Sequence, residues 1–292
     1  MRPAGRFAPS PSGELHVGNL RTAILAWLFA RSTGRDFLLR VEDLDRARAG
    51  AEEEQVRDLA AIGLDWDGPV VRQTSRQDLY LDALARLGSG GLSYECFCTR
   101  REILEAPSAP HAPQGAYPGT CRSLTPAEVE ARRTVRPPAV RLRAAVAEWS
   151  VTDALHGEFT GVVDDFVLRR NDGVIAYNLA VVVDDAAQGI DQVVRGDDLL
   201  PSTPRQSYLA TLLDVPVPQY AHVPMVLNAD GARLAKRDGA VTLRDLAAAG
   251  VGPAAVRGKI LESLGLSGES LTAALADFAP GQLPRGPWTW LG

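Results

Sequence analysis

The order of strand-like and helix-like patterns at the start of the chain limits the fold more than any other feature of the sequence. Residues 5–8 have the pattern of a short strand. After a loop rich in Pro, Ser and Gly, an apolar stripe at helical spacing begins at Leu20 and is closed by Gly34. Residues 37–41 form a short apolar run that stops at Glu42, which is typical of a buried parallel strand whose carboxyl end carries charge into a cleft. The sequence therefore predicts an α/β fold built on a parallel sheet.

The same patterns predict the elements of the rest of the chain. Helices are predicted over residues 51–64 and 75–87, the second with Ser75 at its N-cap. Thr125 and Thr203 each precede a proline and are followed three residues later by Glu or Gln, which predicts two further helix starts. Strand-like runs lie at residues 140–142, 166–168, 181–183 and 192–194.

Composition and charge narrow the class of protein. The chain has 292 residues, of which 46% are hydrophobic and 23% charged, as is ordinary for a soluble globular protein. Because no segment approaches the roughly 20 apolar residues of a membrane span, we expect a cytoplasmic protein without membrane contact. A net charge of −5 argues against broad, sequence-independent binding of nucleic acid.

Clustered cysteines and paired aspartates are the two candidate metal-binding groups. Cys96, Cys98 and Cys121 can occupy three corners of a tetrahedral zinc site, with three inert buried thiols as the alternative. Adjacent residues of a strand face opposite ways. The aspartate pairs 184–185 and 197–198 are therefore predicted to be solvated or to cap other elements, and not to hold a metal.

Residues 6–19, RFAPSPSGELHVGN, carry the first chemical motif. A strand that feeds a Gly- and Pro-rich loop and then a helix presents backbone amides that can bind phosphate, and Gly18 allows close approach. His16 would lie beside those phosphates. The plainer alternative is a sharp turn into a helix with a surface histidine.

The same residues resemble the HIGH signature of class I aminoacyl-tRNA synthetases, and the whole stretch is similar to the glutamyl branch of that family. The resemblance implies a Rossmann-type catalytic domain that binds ATP. The implied ATP-binding residues of the signature are His16, Gly18 and Asn19. Its second and fourth positions, Val17 and Asn19, are places where the family varies.

Residues 233–237, RLAKR, form a second motif. By itself such a run is most often an exposed basic turn. Together with the first motif it resembles the KMSKS loop, whose second lysine contacts ATP phosphates, so Lys236 joins His16 as an implied catalytic and ATP-binding residue. Ala235 and Arg237 stand where the family has serines, which leaves the lysine intact.

A glutamate pocket needs cationic or donor groups for two carboxylates and an anion for the ammonium, and bidentate arginines are the strongest carboxylate partners. The resemblance implies that Glu42 receives the ammonium, that Tyr177 donates its hydroxyl and that Arg195 binds a carboxylate. The whole implied glutamate-binding set is Arg6, Phe7, Ala8, Pro9, Ser10, Glu42, Tyr177 and Arg195. Which arginine takes which carboxylate stays open. Val181, where full-length glutamyl enzymes often have Asn, implies weaker or altered glutamate binding.

The fourth zinc ligand also follows from resemblance. By chemistry alone His111 is the first candidate. A short paralogue of the glutamyl-tRNA synthetases, however, has the pattern Cys-x-Cys…Tyr-x3-Cys, which implies Tyr117 instead. The implied zinc ligands are Cys96, Cys98, Tyr117 and Cys121. A site with four protein ligands is structural, because it has no open position for catalysis.

The resemblance to those short paralogues also implies the function. Because few residues follow Arg237, we expect no separate helical anticodon-binding domain. The paralogues activate glutamate without tRNA and transfer it to the queuosine base at the wobble position of tRNA(Asp). The implied ligands and partners are ATP, L-glutamate, tRNA(Asp) containing queuosine, one structural Zn²⁺ and Mg²⁺ with ATP, for a monomer. Two alternatives stay open, a minimal enzyme that charges a tRNA 3′ end and a non-catalytic module that binds tRNA.

Four segments are predicted on this basis. Residues 1–88 form the first half of the Rossmann catalytic domain, and residues 89–165 form the insertion with the zinc site. Residues 166–240 form the second half with the KMSKS-like loop, and residues 241–292 form a small helical C-terminal segment.

Overall fold

The structure is a computed structural model that describes residues 2–105, 117–234, 241–267 and 269–292. The predicted residues His111, Ala235, Lys236 and Arg237 lie outside these ranges.

The strands are β1 (Ala4–Phe7), β2 (Asp36–Val41), β3 (Val71–Arg72), β4 (Ser93–Cys96), β5 (Ala139–Leu142), β6 (Glu148–Asp153), β7 (Gly157–Val162), β8 (Val167–Arg169), β9 (Ile190–Gly196), β10 (Gln219–Val223), β11 (Val226–Leu227) and β12 (Trp288–Thr289). The helices are α1 (Val17–Ser32), α2 (Ala51–Ala61), α3 (Gln77–Ser89), α4 (Arg100–Glu105), α5 (Pro126–Arg133), α6 (Tyr177–Gln188), α7 (Thr203–Leu212), α8 (Leu243–Ala248), α9 (Pro253–Ser263) and α10 (Leu271–Ala276). Within the described ranges, no helix has both the length and the apolar character needed to span a membrane.

The central sheet has the strand order β3-β2-β1-β9-β10-β6-β7. Every neighbouring pair in it is parallel except β6 and β7. A small antiparallel sheet has the order β4-β5-β8, and β11 pairs with β12. The prediction of an α/β fold with a mostly parallel sheet is confirmed. Strand β6 comes from the stretch predicted as an insertion, and it extends the central sheet next to β10.

Helix α1 begins at Val17, earlier than the apolar stripe predicts, because His16 caps it. His16 Nδ1 accepts the amide of Asn19 at 3.3 Å, and the Asn19 side chain accepts the amide of His16 at 3.1 Å. The helix ends as predicted beside Gly34, whose φ of 68° turns the chain while its amide donates to the carbonyl of Arg31. Two residues implied in ATP binding thus also fix the start of this helix.

The two faces of the central sheet differ in polarity. Because side chains alternate along a strand, one face packs apolar residues such as Phe7, Phe37 and Val194 against α1. The opposite face carries charged and polar side chains from four adjacent strands, each at most 5% exposed. They are Arg40 on β2, Arg6 on β1, Arg195 on β9 and His222 on β10. Buried cations need paired anions, and helix α6, which covers this face, supplies them for Arg6 and Arg40.

The strand predicted over residues 181–183 is wrong, because these residues belong to helix α6. A run of three valines favours a strand locally, but Val181 and Val182 pack as helical residues in the apolar cluster shared with α3 and α7. The prediction that the following aspartates are solvated is wrong as well. Asp184 and Asp185 are 0% and 7% exposed and form ion pairs with the arginines of the sheet.

One predicted helix cap is confirmed and two are wrong. Thr125 accepts the amide of Glu128 at 3.3 Å, and the Glu128 carboxylate accepts the amide of Thr125 at 2.8 Å. Thr203 does not cap α7, because it is the first helical residue and its hydroxyl accepts a hydrogen bond from Arg195. Ser75 lies in a 3₁₀ turn before α3 and donates to a backbone carbonyl.

The C-terminal helices pack against α1, the helix that borders the cleft described below. Helices α8 to α10 share one apolar cluster with α1. The Arg21 guanidinium, from α1, donates to the carbonyl of Pro224 and to the hydroxyl of Ser263, and lies 6.0 Å from the ring centroid of Trp288. Burial lowers the pKa of Arg21 to about 10, which still leaves it charged at neutral pH.

Candidate active site

A cleft of about 630 Å³ opens at the carboxyl ends of β1, β2 and β9, beside the start of α1. Ligands of open parallel sheets bind at this edge. The predicted glutamate- and ATP-binding residues that the structure describes all line this cleft. They are Arg6, Phe7, Ala8, Pro9, Ser10, His16, Gly18, Asn19, Glu42, Tyr177 and Arg195.

The start of α1 forms one end of the cleft. Gly18 is required there, because a Cβ at this position would lie 2.9 Å from His16 Cε1. Since His16 Nδ1 accepts the amide of Asn19, a neutral His16 carries its proton on Nε2. The amide of Val17 donates to the carbonyl of Val241 at 2.9 Å, so two of the first three helix amides already have acceptors. The amide cradle expected from the sequence is therefore largely occupied, and the positive end of the helix dipole would attract an anion.

Gln55 on α2 holds the loop between β1 and α1. Its side-chain amide, which is buried, donates to the carbonyls of Ser10 at 3.0 Å and Gly13 at 2.6 Å. The backbone amide of Glu42 donates to the carbonyl of Pro9 at 2.9 Å. The wall formed by residues 7–10 is thus fixed through its backbone.

Asp185 on α6 holds the first arginine of the cleft, Arg6. The Arg6 Nε and Nη2 atoms lie 3.3 and 3.4 Å from the two carboxylate oxygens, and Arg40 Nη2 lies 2.8 Å from the same carboxylate. Burial alone would raise the pKa of Asp185, but Arg6 and Arg40 outweigh it and lower the pKa. Asp185 is therefore anionic and takes the Nε–Nη2 edge of Arg6, so that a ligand would meet the Nη1 end.

Asp184, the neighbouring acid, connects α6 to α3. Its carboxylate accepts hydrogen bonds from Gln73 Nε2 at 2.7 Å, Arg76 Nε at 2.5 Å and Tyr80 Oη at 2.8 Å. Arg40 Nε lies 3.7 Å away. Asp184 is fully buried, and its partners make it a structural anion that fixes the helix behind the cleft.

Arg195, the second arginine of the cleft, is held by side chains from three elements. Its Nε donates to His222 Nε2 at 3.0 Å, and its Nη2 donates to the Thr203 hydroxyl at 2.8 Å. Its Nη1 lies 3.4 Å from the hydroxyl of Tyr177, the first residue of α6. The guanidinium also lies 5.5 Å from the ring centroid of Tyr220.

Glu42 is the acid of the cleft. Its side chain is 14% exposed, and its Oε1 lies 3.7 Å from Arg40 Nη2. Burial raises the pKa of Glu42 to about 7, against the attraction of Arg40 and Arg6. Both cations are shared with Asp185, so they do not fully neutralise the negative charge of Glu42. A cation bound in the cleft would lower its pKa and would be bound by it.

Described residues on both sides of the range 235–240, Arg233 and Val241, contact the cleft or its edge. On one side of it, Arg233 lines the cleft and its Nη1 lies 2.8 Å from a carboxylate oxygen of Asp198. On the other side, the carbonyl of Val241 accepts the amide of Val17 at the start of α1. Lys236 itself lies outside the described residues, and its role stays a prediction.

The three cysteines meet at a second site. The sulfur atoms of Cys96, Cys98 and Cys121 lie within 4.8 Å of one another, and two of them are 3.6 Å apart. The Tyr117 hydroxyl lies 3.3 Å from Cys96 Sγ and 3.8 Å from Cys98 Sγ. The Arg141 guanidinium lies 3.7 Å from the centroid of the Tyr117 ring. Tetrahedral zinc ligands lie roughly 3.3 to 3.8 Å from one another, given bonds of about 2.0 to 2.3 Å. The Cys98–Cys121 separation and the two Tyr117 separations fall in this range, so the cluster could hold a metal ion such as zinc.

Several buried residues that shape the cleft were missed by the sequence analysis. The strand pattern predicts that Asp185 is solvated or caps another element, and no local pattern singles out Gln55, Asp153 or His222. The one signal for this layer was Arg40, a cation inside an otherwise apolar strand, which requires a buried anion from another element.

The fold and the cleft define a class I tRNA synthetase. The chain belongs to the family described as tRNA synthetases class I (E and Q), catalytic domain, which matches residues 4–276. It is similar to the Glutamyl-Q tRNA(Asp) synthetase of Nocardia farcinica, with 65% identity over 286 residues, 98% of this chain and 92% of that protein. The protein of the same name from Cutibacterium acnes is 54% identical over 268 residues, 90% of this chain and 76% of that protein.

Comparison of the fold with solved structures leads to the same family. A glutamate tRNA ligase from Elizabethkingia meningosepticum, solved in complex with its amino acid, superposes with a TM-score of 0.85 at 28% identity. The superposition covers 99% of this chain and 67% of the ligase. The resemblance to the glutamyl branch stated from residues 6–19 is thereby confirmed.

Proposed function

We propose that this chain uses ATP to activate glutamate and transfers the glutamyl group to the queuosine base at the wobble position of tRNA(Asp). The observation that carries the proposal is the cleft, which brings Glu42, Arg6 and Arg195 together next to the start of α1. The name of the Nocardia farcinica relative supports the same acceptor. Class I synthetases use ATP with Mg²⁺, which neutralises part of the phosphate charge.

Glutamate fits the cleft by charge. Its ammonium would bind Glu42, whose raised pKa falls when a cation approaches. Its two carboxylates would bind the ends of Arg6 and Arg195 that line the cleft, with the Tyr177 hydroxyl beside Arg195 and residues 7–10 as a wall. Val181 lies one helical turn after Tyr177 and packs into the apolar cluster. At that position α6 therefore has no side-chain amide that could bind the substrate.

Activation then needs alignment and neutralisation of charge. An oxygen of the glutamate α-carboxylate attacks the α-phosphorus of ATP, the bond to the β-phosphate oxygen breaks, and glutamyl-adenylate and pyrophosphate result. His16 Nε2, the positive end of the α1 dipole and Lys236 would stabilise the charge on the phosphates, and Gly18 and Asn19 would shape that end of the cleft. In the transfer step a nucleic-acid hydroxyl attacks the acyl carbon, the bond to the phosphate oxygen breaks, and AMP leaves.

We assign the cysteine cluster to one structural zinc ion with Cys96, Cys98, Tyr117 and Cys121 as ligands. The support is the spacing of the three sulfurs and the Tyr117 oxygen. Four protein ligands leave no open position, so the ion would hold the segment between β4 and α5.

Two assays with the purified full chain test the function. The first measures glutamate-dependent exchange of labelled pyrophosphate into ATP without tRNA, and the second offers labelled glutamate to tRNA(Asp) with and without queuosine and to tRNA(Glu). We expect exchange without tRNA and label only on tRNA(Asp) that contains queuosine. Absence of exchange would leave only a binding role.

Charging of a tRNA 3′ end is the second candidate, and the similarity to the Elizabethkingia ligase favours it. Removal of the 3′-terminal adenosine separates the two. Queuosine-containing tRNA(Asp) without that adenosine should still accept label if the base is the acceptor. Loss of label on the truncated tRNA, or label confined to tRNA(Glu), would establish the second candidate instead.

A further inference from the structure

We propose that His222 and Asp153 are positioning residues, which fix the Arg195 guanidinium so that its Nη1–Nη2 end receives a carboxylate of the amino-acid substrate. The inference rests on the proposed function for the identity of that substrate. The hydrogen-bond geometry behind Arg195 carries the rest.

The three residues lie on three adjacent strands of the central sheet. Arg195 on β9 and His222 on β10 are register partners, and Asp153 ends β6, the next strand. Arg195 Nε lies 3.0 Å from His222 Nε2, and His222 Nδ1 lies 2.6 Å from a carboxylate oxygen of Asp153. His222 is fully buried, and Asp153 is 2% exposed. The chain of bonds therefore runs from the buried part of the sheet to the edge of the cleft.

The partners of Asp153 determine where the imidazole proton lies. One carboxylate oxygen accepts the backbone amides of Leu155 at 2.9 Å and His156 at 3.0 Å, and the other accepts the amide of His222 at 3.0 Å. Burial alone would raise the pKa of Asp153, but these bonds and the His222 side chain lower it, so the carboxylate is anionic. An anionic carboxylate only accepts, and His222 Nδ1 must therefore carry a proton.

The other ring nitrogen must be an acceptor. The Arg195 guanidinium cannot give up its protons, so the contact with His222 Nε2 requires a lone pair on that nitrogen. A second cation 3.0 Å from the guanidinium would repel it, and burial lowers the pKa of His222. The other side chains against the ring are neutral, since the Thr203 hydroxyl lies 3.1 Å from Nε2 and the Tyr220 ring stacks at 6.0 Å. The His156 imidazole lies on the backbone side of His222, with its Nε2 3.0 Å from the His222 carbonyl oxygen.

These bonds determine which part of Arg195 meets the substrate. His222 takes the Nε–H and Thr203 takes an Nη2–H, so both lie along one edge of the guanidinium. The other end, Nη1 with the second Nη2 proton, lies beside the Tyr177 hydroxyl. A carboxylate would therefore bind end-on. Without the acceptor on His222, the side chain could turn about its last bonds, and part of the binding free energy would be spent on ordering it.

Two substitutions of His222 separate positioning from simple packing. His222→Gln places an amide oxygen near the position of Nε2, where it accepts from Arg195, while His222→Asn places its amide near Nδ1 and keeps only the bond to Asp153. In tRNA-free pyrophosphate exchange, we expect His222→Asn to raise the KM for glutamate about tenfold, as for the loss of one charged hydrogen bond. We expect a change below about threefold for His222→Gln, and neither variant should alter the KM for ATP more than about twofold.

The outcomes distinguish this inference from the proposed function. If Arg195→Ala leaves the KM for glutamate unchanged, or the parent chain shows no exchange, the proposed function fails. If Arg195→Ala raises that KM but the two His222 variants change it equally, positioning by His222 is overturned. ¹⁵N NMR of histidine-labelled parent protein gives a test that needs no variant to fold. A neutral His222 with its proton on Nδ1 is expected, and a doubly protonated ring or the Nε2–H tautomer would overturn the inference.

Discussion

Arg6 on β1 and Asp185 on α6 meet across the polar face of the central sheet, with Nε and Nη2 of the arginine 3.3 and 3.4 Å from the carboxylate. Arg40 on the next strand approaches the same carboxylate to 2.8 Å. Arg6, which lines the cleft, and Arg40 behind it are thus held by one acid of the helix that covers the sheet.

Asp185→Asn should destabilise the fold and weaken glutamate binding together, because it leaves Arg6 and Arg40 short of one buried anion. We expect the free energy of unfolding, measured by urea denaturation, to fall by about 3 to 5 kcal/mol, and the KM for glutamate to rise. Asp191→Asn is the matched control, since Asp191 pairs with Arg35 in the same side-on geometry at 2.8 and 2.9 Å but is 42% exposed. Asp191→Asn should lower the free energy of unfolding by less than about 1 kcal/mol. Equal losses from both variants would contradict the role of Asp185.

Glu42→Gln should stabilise the ligand-free protein at pH 8 while it abolishes glutamate activation. The pKa of Glu42 is raised from 4.5 to about 7, so the folded state binds more protons than the unfolded state between those values, and stability falls as pH rises through this window. Removal of the charge should therefore add about 1 to 3 kcal/mol above pH 7, with little effect at pH 4.

Thermal unfolding at pH 4 and pH 8, with exchange assays on the same samples, checks this prediction. Glu130→Gln is the control, because Glu130 forms an exposed pair with Arg133 and is 71% exposed itself. A Glu42→Gln variant that is less stable than the parent at pH 8, or that keeps its activity, would show that Glu42 is a structural anion and does not bind the ammonium.

Tyr117→Phe should weaken zinc retention by at least about tenfold, because it removes one of the four proposed donors. Zinc content after dialysis against a chelator measures this. Tyr94→Phe is the matched control, since Tyr94 packs against the same cysteine cluster but donates its hydroxyl to Asp165 at 2.6 Å. The control should lose stability and keep its metal. Equal zinc content in both variants would exclude Tyr117 as a ligand.

Lys236→Ala and Arg195→Ala should affect different kinetic constants. Loss of Lys236 should raise the barrier for adenylate formation by about 2.7 to 4 kcal/mol with little change in the KM for glutamate. Loss of Arg195 should mainly raise that KM. Steady-state exchange kinetics with glutamate and ATP varied separately would measure both, and small, equal effects would remove the assigned roles.

The sequence predicts the cleft well because the relevant residues lie in local motifs. The strand, loop and helix at the start of the chain place His16, Gly18 and Arg6 at one sheet edge, where all three line the cleft. Glu42 could be placed there too, because the carboxyl ends of adjacent parallel strands meet at one edge.

The layer behind the cleft could not be predicted in the same way. The run of residues 181–183 has strand propensity, and only the cations on β1 and β2 explain why helix α6 carries Asp184 and Asp185 inward. Thr203 has the local pattern of a helix cap. Its hydroxyl instead accepts a hydrogen bond from Arg195, eight residues earlier on β9, so it does not cap the helix. Such partners are set by the sheet order, which local patterns do not contain.

The most direct measurement is a crystal structure with a non-hydrolysable glutamyl-adenylate analogue. We predict the ammonium at Glu42, the side-chain carboxylate end-on at Arg6 or Arg195, and the phosphate mimic within hydrogen-bonding distance of His16 Nε2. An analogue bound elsewhere, or one bound in the cleft with its carboxylate away from both arginines, would contradict glutamate activation at this site.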